Sequence, residues 1–266
     1  MKKIDYYEIS KQKLNYLNYS KRTIDNYLGY ISKFLIDVNT EPSRLNSKDF
    51  QNYLDNYNFT SISQQNQIIN SIRFLYKEVL NKKYDKVSFK RPRKEKHLPK
   101  IIDSKILIDK ISKIQNLKHK TILSLAYSTG MRVSEIVNLK ICNIDSKRML
   151  IHIENGKGKK DRFVPLSENI LNLLRLYFKQ YKPKEYLFNG QTSLQYSVKS
   201  CQEIFKKYIS KEESFHNLRH SCFTCLLETG VDIRIIQKIA GHSNVKTTEV
   251  YTHVSNSLLS KIQLPL

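Results

Sequence analysis

Residues 240–254 read Ala-Gly-His-Ser-Asn-Val-Lys-Thr-Thr-Glu-Val-Tyr-Thr-His-Val, which sets His242 nine residues ahead of Tyr251. Gly241 directly follows the apolar-periodic run Ile233 to Ala240, the position at which a glycine closes a helix and turns the chain. A tyrosine in such a place is core packing in most proteins, so its meaning depends on what stands upstream. The preceding helical run, Asn217 to Glu228, is closed by Gly230 and headed by Phe215-His216-Asn217-Leu218-Arg219-His220. His216 and Arg219 there lie three residues apart, on one helical face beside the positive end of the helix dipole, where such a pair can grip an anion. His-x-x-Arg alone is a weak signal in a basic chain.

Further upstream, Met149 to Glu154 and Arg162 to Leu166 read as two strands joined through Asn155-Gly156-Lys157-Gly158. Asn-Gly between two such runs is a hairpin signal, and the tight turn thrusts Lys157 outward toward a ligand. Before the hairpin stands Ser128-Thr129-Gly130-Met131-Arg132-Val133-Ser134-Glu135. A glycine-bounded turn running into a helix holds Arg132 at the helix start, where its guanidinium can fork onto two phosphate oxygens and Glu135 can brace it.

Around these motifs the chain of 266 residues is long enough for two domains. Helical periodicity predicts four helices in the first part: about Ile9 to Leu17, Ile24 to Leu35, Phe50 to Tyr57, and Ile68 to Val79. Short polar connectors make them a bundle over residues 1–86. Residues 87–100 are dense in Lys and Arg, carry two prolines and lack apolar periodicity, the composition of an extended linker. The second domain, 101–266, is predicted to be helical over Ile106 to Ile114, Lys118 to Tyr127, Arg132 to Leu139, Ile170 to Tyr181 and Leu194 to Ile209, besides the two helices above. The fold class expected is mainly α, with a small β-sheet or hairpin in the C-terminal domain.

Lys and Arg number 46 against 24 Asp and Glu, a formal charge of +22. Both halves share it, with 19 basic and 10 acidic residues over 1–98 and 27 and 14 over 99–266. Spread of this kind suggests a long polyanion that both halves touch, a two-domain clamp around duplex DNA, whereas a charged tail would suggest a disordered arm. The apolar fraction of 40% excludes a disordered chain. No apolar run is long enough for a membrane span or signal peptide, so a cytoplasmic protein with no membrane partner is expected. Four cysteines are too few for a disulfide framework, and the Cys222-x-x-Cys225 pair lacks a second ligand pair, so a zinc site is disfavoured and both read as core thiols.

In order, TGMRVSE, GKGKKDRFVPL, HNLRH and AGHSNVKTTEVYTHV closely resemble the tyrosine recombinase (phage integrase) family, and within it the small Xer-type site-specific recombinases. The resemblance implies a helical, SAM-like core-binding domain followed by a catalytic domain. It places Arg132, Lys157, His216, Arg219 and His242 on the family's catalytic positions and Tyr251 on its nucleophile, with Glu135 in support. The reaction so implied is attack of Tyr251 on a scissile DNA phosphate, giving a 3′-phosphotyrosyl link and a free 5′-hydroxyl, with no metal and no ATP. Two arginines and a histidine neutralise the phosphorane where other nucleases use a metal ion; Lys157 is the candidate general acid and His216 the candidate for accepting the phenol proton. His220 also matches the motif, but the family's chemistry gives it no proton-transfer role and it is read as packing. Lys90, Arg91, Arg93, Lys94, Lys96, Lys159 and Lys160 are the DNA contacts expected from the linker and hairpin. The apolar tail after Tyr251 is expected to dock on a neighbouring protomer, giving a homo-tetramer on two DNA sites, with or without a second recombinase or an accessory translocase. Alternatives are a mobile-element integrase or invertase, a type IB-like topoisomerase, and a non-catalytic DNA-binding protein. Chromosome or plasmid dimer resolution is the favoured role.

Overall fold

Three polar side chains start the helices of the N-terminal part. Ser20 and Ser61 accept hydrogen bonds from the backbone N–H groups of Thr23 and Gln64, and Asn46 with Asp49 forms a reciprocal capping box. The computed structural model describes residues 3–38, 40–82, 91–93, 99–154, 161–242 and 244–252. It divides into two compact units, Met1–Lys96 and His97–Leu266.

The first unit holds α1 (Lys3–Tyr16), α2 (Lys21–Asp37), a 3₁₀ turn (Pro42–Arg44), α3 (Ser47–Asn56) and α4 (Ile62–Phe74). Its core is built from Leu14, Leu28, Ile31, Phe34, Phe50, Ile68 and Ile72, with the Phe34 and Phe50 rings stacked 4.9 Å apart. The sequence predicts an unbroken helix through Val79, but Leu75–Val79 widens into a π turn. Leu75 and Tyr76, within that turn, are both buried in the core of this unit.

The second unit comprises α5 (Ser104–Ser112), α6 (Leu117–Thr129), α7 (Val133–Val137), β1 (Ile144–Asp145), β2 (Leu150–Ile153), β3 (Arg162–Pro165), α8 (Glu168–Tyr181), α9 (Val198–Tyr208), α10 (His216–Glu228), α11 (Ile233–Ala240) and α12 (Lys246–Glu249). The strands form one antiparallel sheet in the order β1-β2-β3, with Ile151 opposite Ile144 on one side and Val164 on the other. Helix α6 buries Thr121, Ile122, Leu123, Leu125, Ala126 and Thr129, the wide apolar face of a central helix, and packs against α8 and α10. The mostly helical fold with a small sheet agrees with the sequence reading.

Three local expectations are corrected. The helix predicted from Leu194 begins only at Val198, because the Ser197 hydroxyl caps Ser200 N–H and the chain before it is held in a loop by Tyr196 N–H to Phe188 carbonyl. The helix predicted over Arg132 to Leu139 shrinks to α7, since Arg132 itself has extended backbone and serves as its N-cap. The two-residue β1 and the single polar turn α12 carry no periodic signal and were not predicted. Among the described residues no helix is long and apolar enough to cross a membrane.

Candidate active site

The site forms where the ends of α6 and α11 meet the first turn of α10. Helix α6 stops at Gly130, and α11 at Gly241, both in the left-handed conformation at φ 61° and 62°. A Cβ on Gly130 would lie 2.6 Å from the Phe223 ring, and one on Gly241 would lie 2.9 Å from Arg162 Cδ; only glycine fits at either point. These caps set the carbonyls that hold Arg219. Its Nη1 donates to Gly130 O at 2.7 Å and its Nη2 to Ala240 O at 2.6 Å, while its guanidinium carbon lies 4.7 Å from the centre of the Phe223 ring. Arg219 is 1% exposed, and among the described residues no carboxylate pairs with it. Burial, then Arg132, lower its pKa to about 10, so it stays charged at neutral pH.

Arg132 has a different support. Its Nη1 donates to Glu135 Oε1 at 2.9 Å and its backbone N–H to Oε2 at 2.8 Å. The same carboxylate receives both ends of the Arg162 fork at 2.7 Å each. Arg162 Nε further donates to Ile239 O at 2.8 Å, tying the first residue of β3 to the end of α11. Burial alone would raise the Glu135 carboxyl, but the hydrogen bonds and charges of Arg162 and then Arg132 bring it down to about 2. One carboxylate thus serves two arginines, and with Arg219 the group keeps an excess of positive charge.

His242 follows Gly241, with Nε2 3.1 Å from Arg219 Nη2 and Nδ1 2.9 Å from Thr248 Oγ1 on α12. A guanidinium can only donate, so Nε2 accepts, and the ring proton sits on Nδ1 facing the threonine. Tyr251, just past α12, is 3% exposed and packs edge-on to Phe223 at 5.6 Å. Burial raises its phenol pKa, and the Arg219 charge opposes that rise. Its hydroxyl lies 3.2 Å from His220 Nδ1. His216, the first residue of α10, meets the His220 ring edge to face at 4.6 Å; burial, then His220, Arg219 and Arg132, push its pKa down to about 4.

Arg132, His216, Arg219, His242 and Tyr251 are therefore gathered in one place, with Glu135 beneath. Lys157, Lys159 and Lys160, between β2 and β3, lie outside the described residues, as do Lys90, Lys94, Lys96 and the tail 253–266. Arg91 and Arg93 are exposed, and Arg91 Nη2 bonds Asn70 Oδ1 on α4 at 2.9 Å. Two residues of the site were missed from sequence. The sequence reading gives His220 only a packing role, although its spacing of four from His216 puts it on the same helix face. Arg162 had no local signal, since its partner Glu135 is 27 residues away. Cys222 is buried and Cys225 half-buried, both free thiols, and among the described residues no group of three His, Cys, Asp or Glu could hold a metal ion.

The chain that carries this cluster is similar to known proteins. Residues 97–257 match the phage integrase family, and residues 6–86 match the phage integrase N-terminal SAM-like domain. Tyrosine recombinase XerA of Pyrococcus horikoshii is 36% identical over 250 residues, covering 90% of this chain and 86% of its own. The crystal structure of XerA recombinase superposes with a TM-score of 0.56 at 26% identity, over 98% of this chain and 97% of that one. The XerH site-specific recombinase, bound to its palindromic difH substrate, gives a TM-score of 0.71 at 21% identity over 90% and 78%, a likeness of fold. The chain belongs to the phage integrase family and is a tyrosine recombinase, an enzyme of site-specific recombination.

Proposed function

We propose that the protein is an Xer-like recombinase that resolves chromosome or plasmid dimers in the cytoplasm, cutting and rejoining duplex DNA through a 3′-phosphotyrosyl bond to Tyr251. The observation that carries this reading is the buried Arg219, a full charge beside the phenol of Tyr251 that has no carboxylate partner among the described residues. A buried cation so left calls for an anion from outside the chain, and a scissile phosphate supplies it.

In this reading Arg132 and Arg219 take the nonbridging oxygens as negative charge grows on the phosphorane. The phosphate raises the proton affinity of His242, turning Nε2 from acceptor into donor once Arg219 bonds the phosphate. His216 stands beside Arg132 as a further neutral group of the phosphate pocket, and Lys157 protonates the 5′-oxygen as it leaves. The bond energy passes into the phosphotyrosyl link, so neither ATP nor metal is called for. Residues 1–86 serve as the core-binding domain and 101–266 as the catalytic domain. The basic stretch 87–100, with Lys90, Arg91, Arg93, Lys94 and Lys96, contacts phosphates, as do Lys159 and Lys160. Four protomers act on two sites, each tail docked on the next.

The test is adduct formation on a nicked suicide duplex carrying candidate sites, in the presence of a chelator. Wild type is expected to give an SDS-resistant adduct, Tyr251→Phe none, and Arg132→Ala about 10²-fold less or lower still. An adduct that persists in Tyr251→Phe, or a wild type that binds the site tightly without reacting, overturns the reading.

A further inference from the structure

The reading above leaves the phenol proton without a destination. At neutral pH a tyrosine is protonated, and burial raises the Tyr251 pKa further, so attack requires a neighbour that takes the proton as the bond to phosphorus forms. Among the described groups, Glu135 is committed to two arginines and lies near pKa 2. His242 has Nδ1 on Thr248 and Nε2 on Arg219. His216 adjoins the His220 ring, and no hydrogen bond links it to Tyr251 among the described residues. Arg219 also hydrogen-bonds the phenol but, as a guanidinium, can only donate; His220 Nδ1, which can accept, stands 3.2 Å from it, with the two rings tilted 51° and their centres 5.7 Å apart.

We propose that His220 is a catalytic residue, the proton acceptor for the Tyr251 nucleophile; the assignment rests on the phosphotyrosyl reading above. In cleavage the phenol proton moves to His220 Nδ1 as Oη bonds to phosphorus, and the P–O5′ bond breaks with its electron pair leaving on the 5′-oxygen, which takes a proton from Lys157. In rejoining, the 5′-hydroxyl attacks and gives its proton back to the now neutral Lys157, the P–Oη bond breaks, and the imidazolium returns its proton to the phenolate, so the cycle balances. The surroundings suit both halves. Burial, then Arg219, lower the His220 pKa, which keeps the ring neutral and able to accept before DNA binds. The negative charge of the phosphorane then offsets the imidazolium that forms between His216, Arg219 and Tyr251. His216, edge-on behind it, fixes the ring plane and acts as a positioning residue for this step.

Two reactions of the same variants test the assignment. The first is single-turnover adduct formation on the suicide duplex, which requires proton removal from Tyr251. The second is attack of a 5′-hydroxyl strand on DNA ending in a 3′-p-nitrophenyl phosphate, in which nitrophenolate leaves unprotonated and Tyr251 takes no part. His220→Gln is expected to slow adduct formation roughly 10²- to 10⁴-fold, the range of general base catalysis, while the nitrophenyl reaction stays within about twofold of wild type because its leaving group needs no proton. His220→Ala should behave alike, and its nitrophenyl reaction reports an intact phosphate clamp should the smaller side chain loosen the fold. Equal losses in both reactions would make His220 a structural support and overturn the proposal, as would an adduct rate at or above wild type, the mark of a latch on the resting tyrosine. A wild type that performs the nitrophenyl reaction and forms no adduct would instead bring down the Tyr251 reading itself, and this one with it.

Discussion

At the scale of single residues, Glu135 carries the most measurable consequence. Its carboxyl ionises near 2 in the fold against an ordinary 4.5, so it stabilises the folded state fully above pH 4.5 and loses that contribution as pH falls from there toward 2. The difference corresponds to about 3 kcal/mol at neutral pH. Urea unfolding of wild type and Glu135→Gln should therefore show a stability gap at pH 7 that narrows steadily below pH 4.5; a gap independent of pH would contradict the pairing. The residues most legible in the sequence were those whose meaning is local. His216 and Arg219 share a helix face by spacing alone, and Gly130 and Gly241 announce two helix ends. His220 was legible as to its face but not as to its partner, because Tyr251 lies 31 residues away and nothing in a helical repeat says what will be folded against it.

At the scale of elements, Arg162 joins three of them. It stands at the first position of β3, forks onto the carboxylate that braces the start of α7, and bonds the last turn of α11 through Ile239. Strand β3 also follows Lys157 in the sequence by five residues. Arg162→Lys keeps the charge and loses the planar fork, so it should leave DNA affinity within a few-fold and slow adduct formation at saturating DNA by tenfold or more, since Arg132 and the turn before His242 lose their common anchor. The loss should be smaller than additive with that of Arg132→Ala, as for residues acting through one network; independent, additive losses would show that Arg162 acts elsewhere. Element boundaries were legible where a cap and an apolar face coincide, as in α2 and α8. They failed at α9, where Leu194 continued the apolar pattern into a loop closed by Ser197, and at the π turn after α4, where the pattern persists and only the width of the turn changes.

At the scale of the whole molecule, the charge of +22 is spread through both units, and the two-domain, mainly helical architecture was legible from length and periodicity. Affinity for DNA should fall linearly in log–log terms with salt, by roughly 10³-fold between 50 and 200 mM for six phosphate contacts, measured by filter binding. The cleavage rate at saturating DNA should change far less, because the buried cluster around Arg219 is shielded from mobile ions; parallel declines would place the reacting charges on the surface. Arg219 itself shows how such a charge is kept ready. The carbonyls that hold it belong to the last turns of α6 and α11, so two helix macrodipoles turn their negative ends on one guanidinium, together about one elementary charge. The counter-charge is dispersed over fixed peptide groups and cannot swing away or follow the arginine. Among the described residues no carboxylate pairs with Arg219, so a phosphate arriving there displaces none, and the electrostatic work of holding this guanidinium is done when the chain folds, before any DNA arrives.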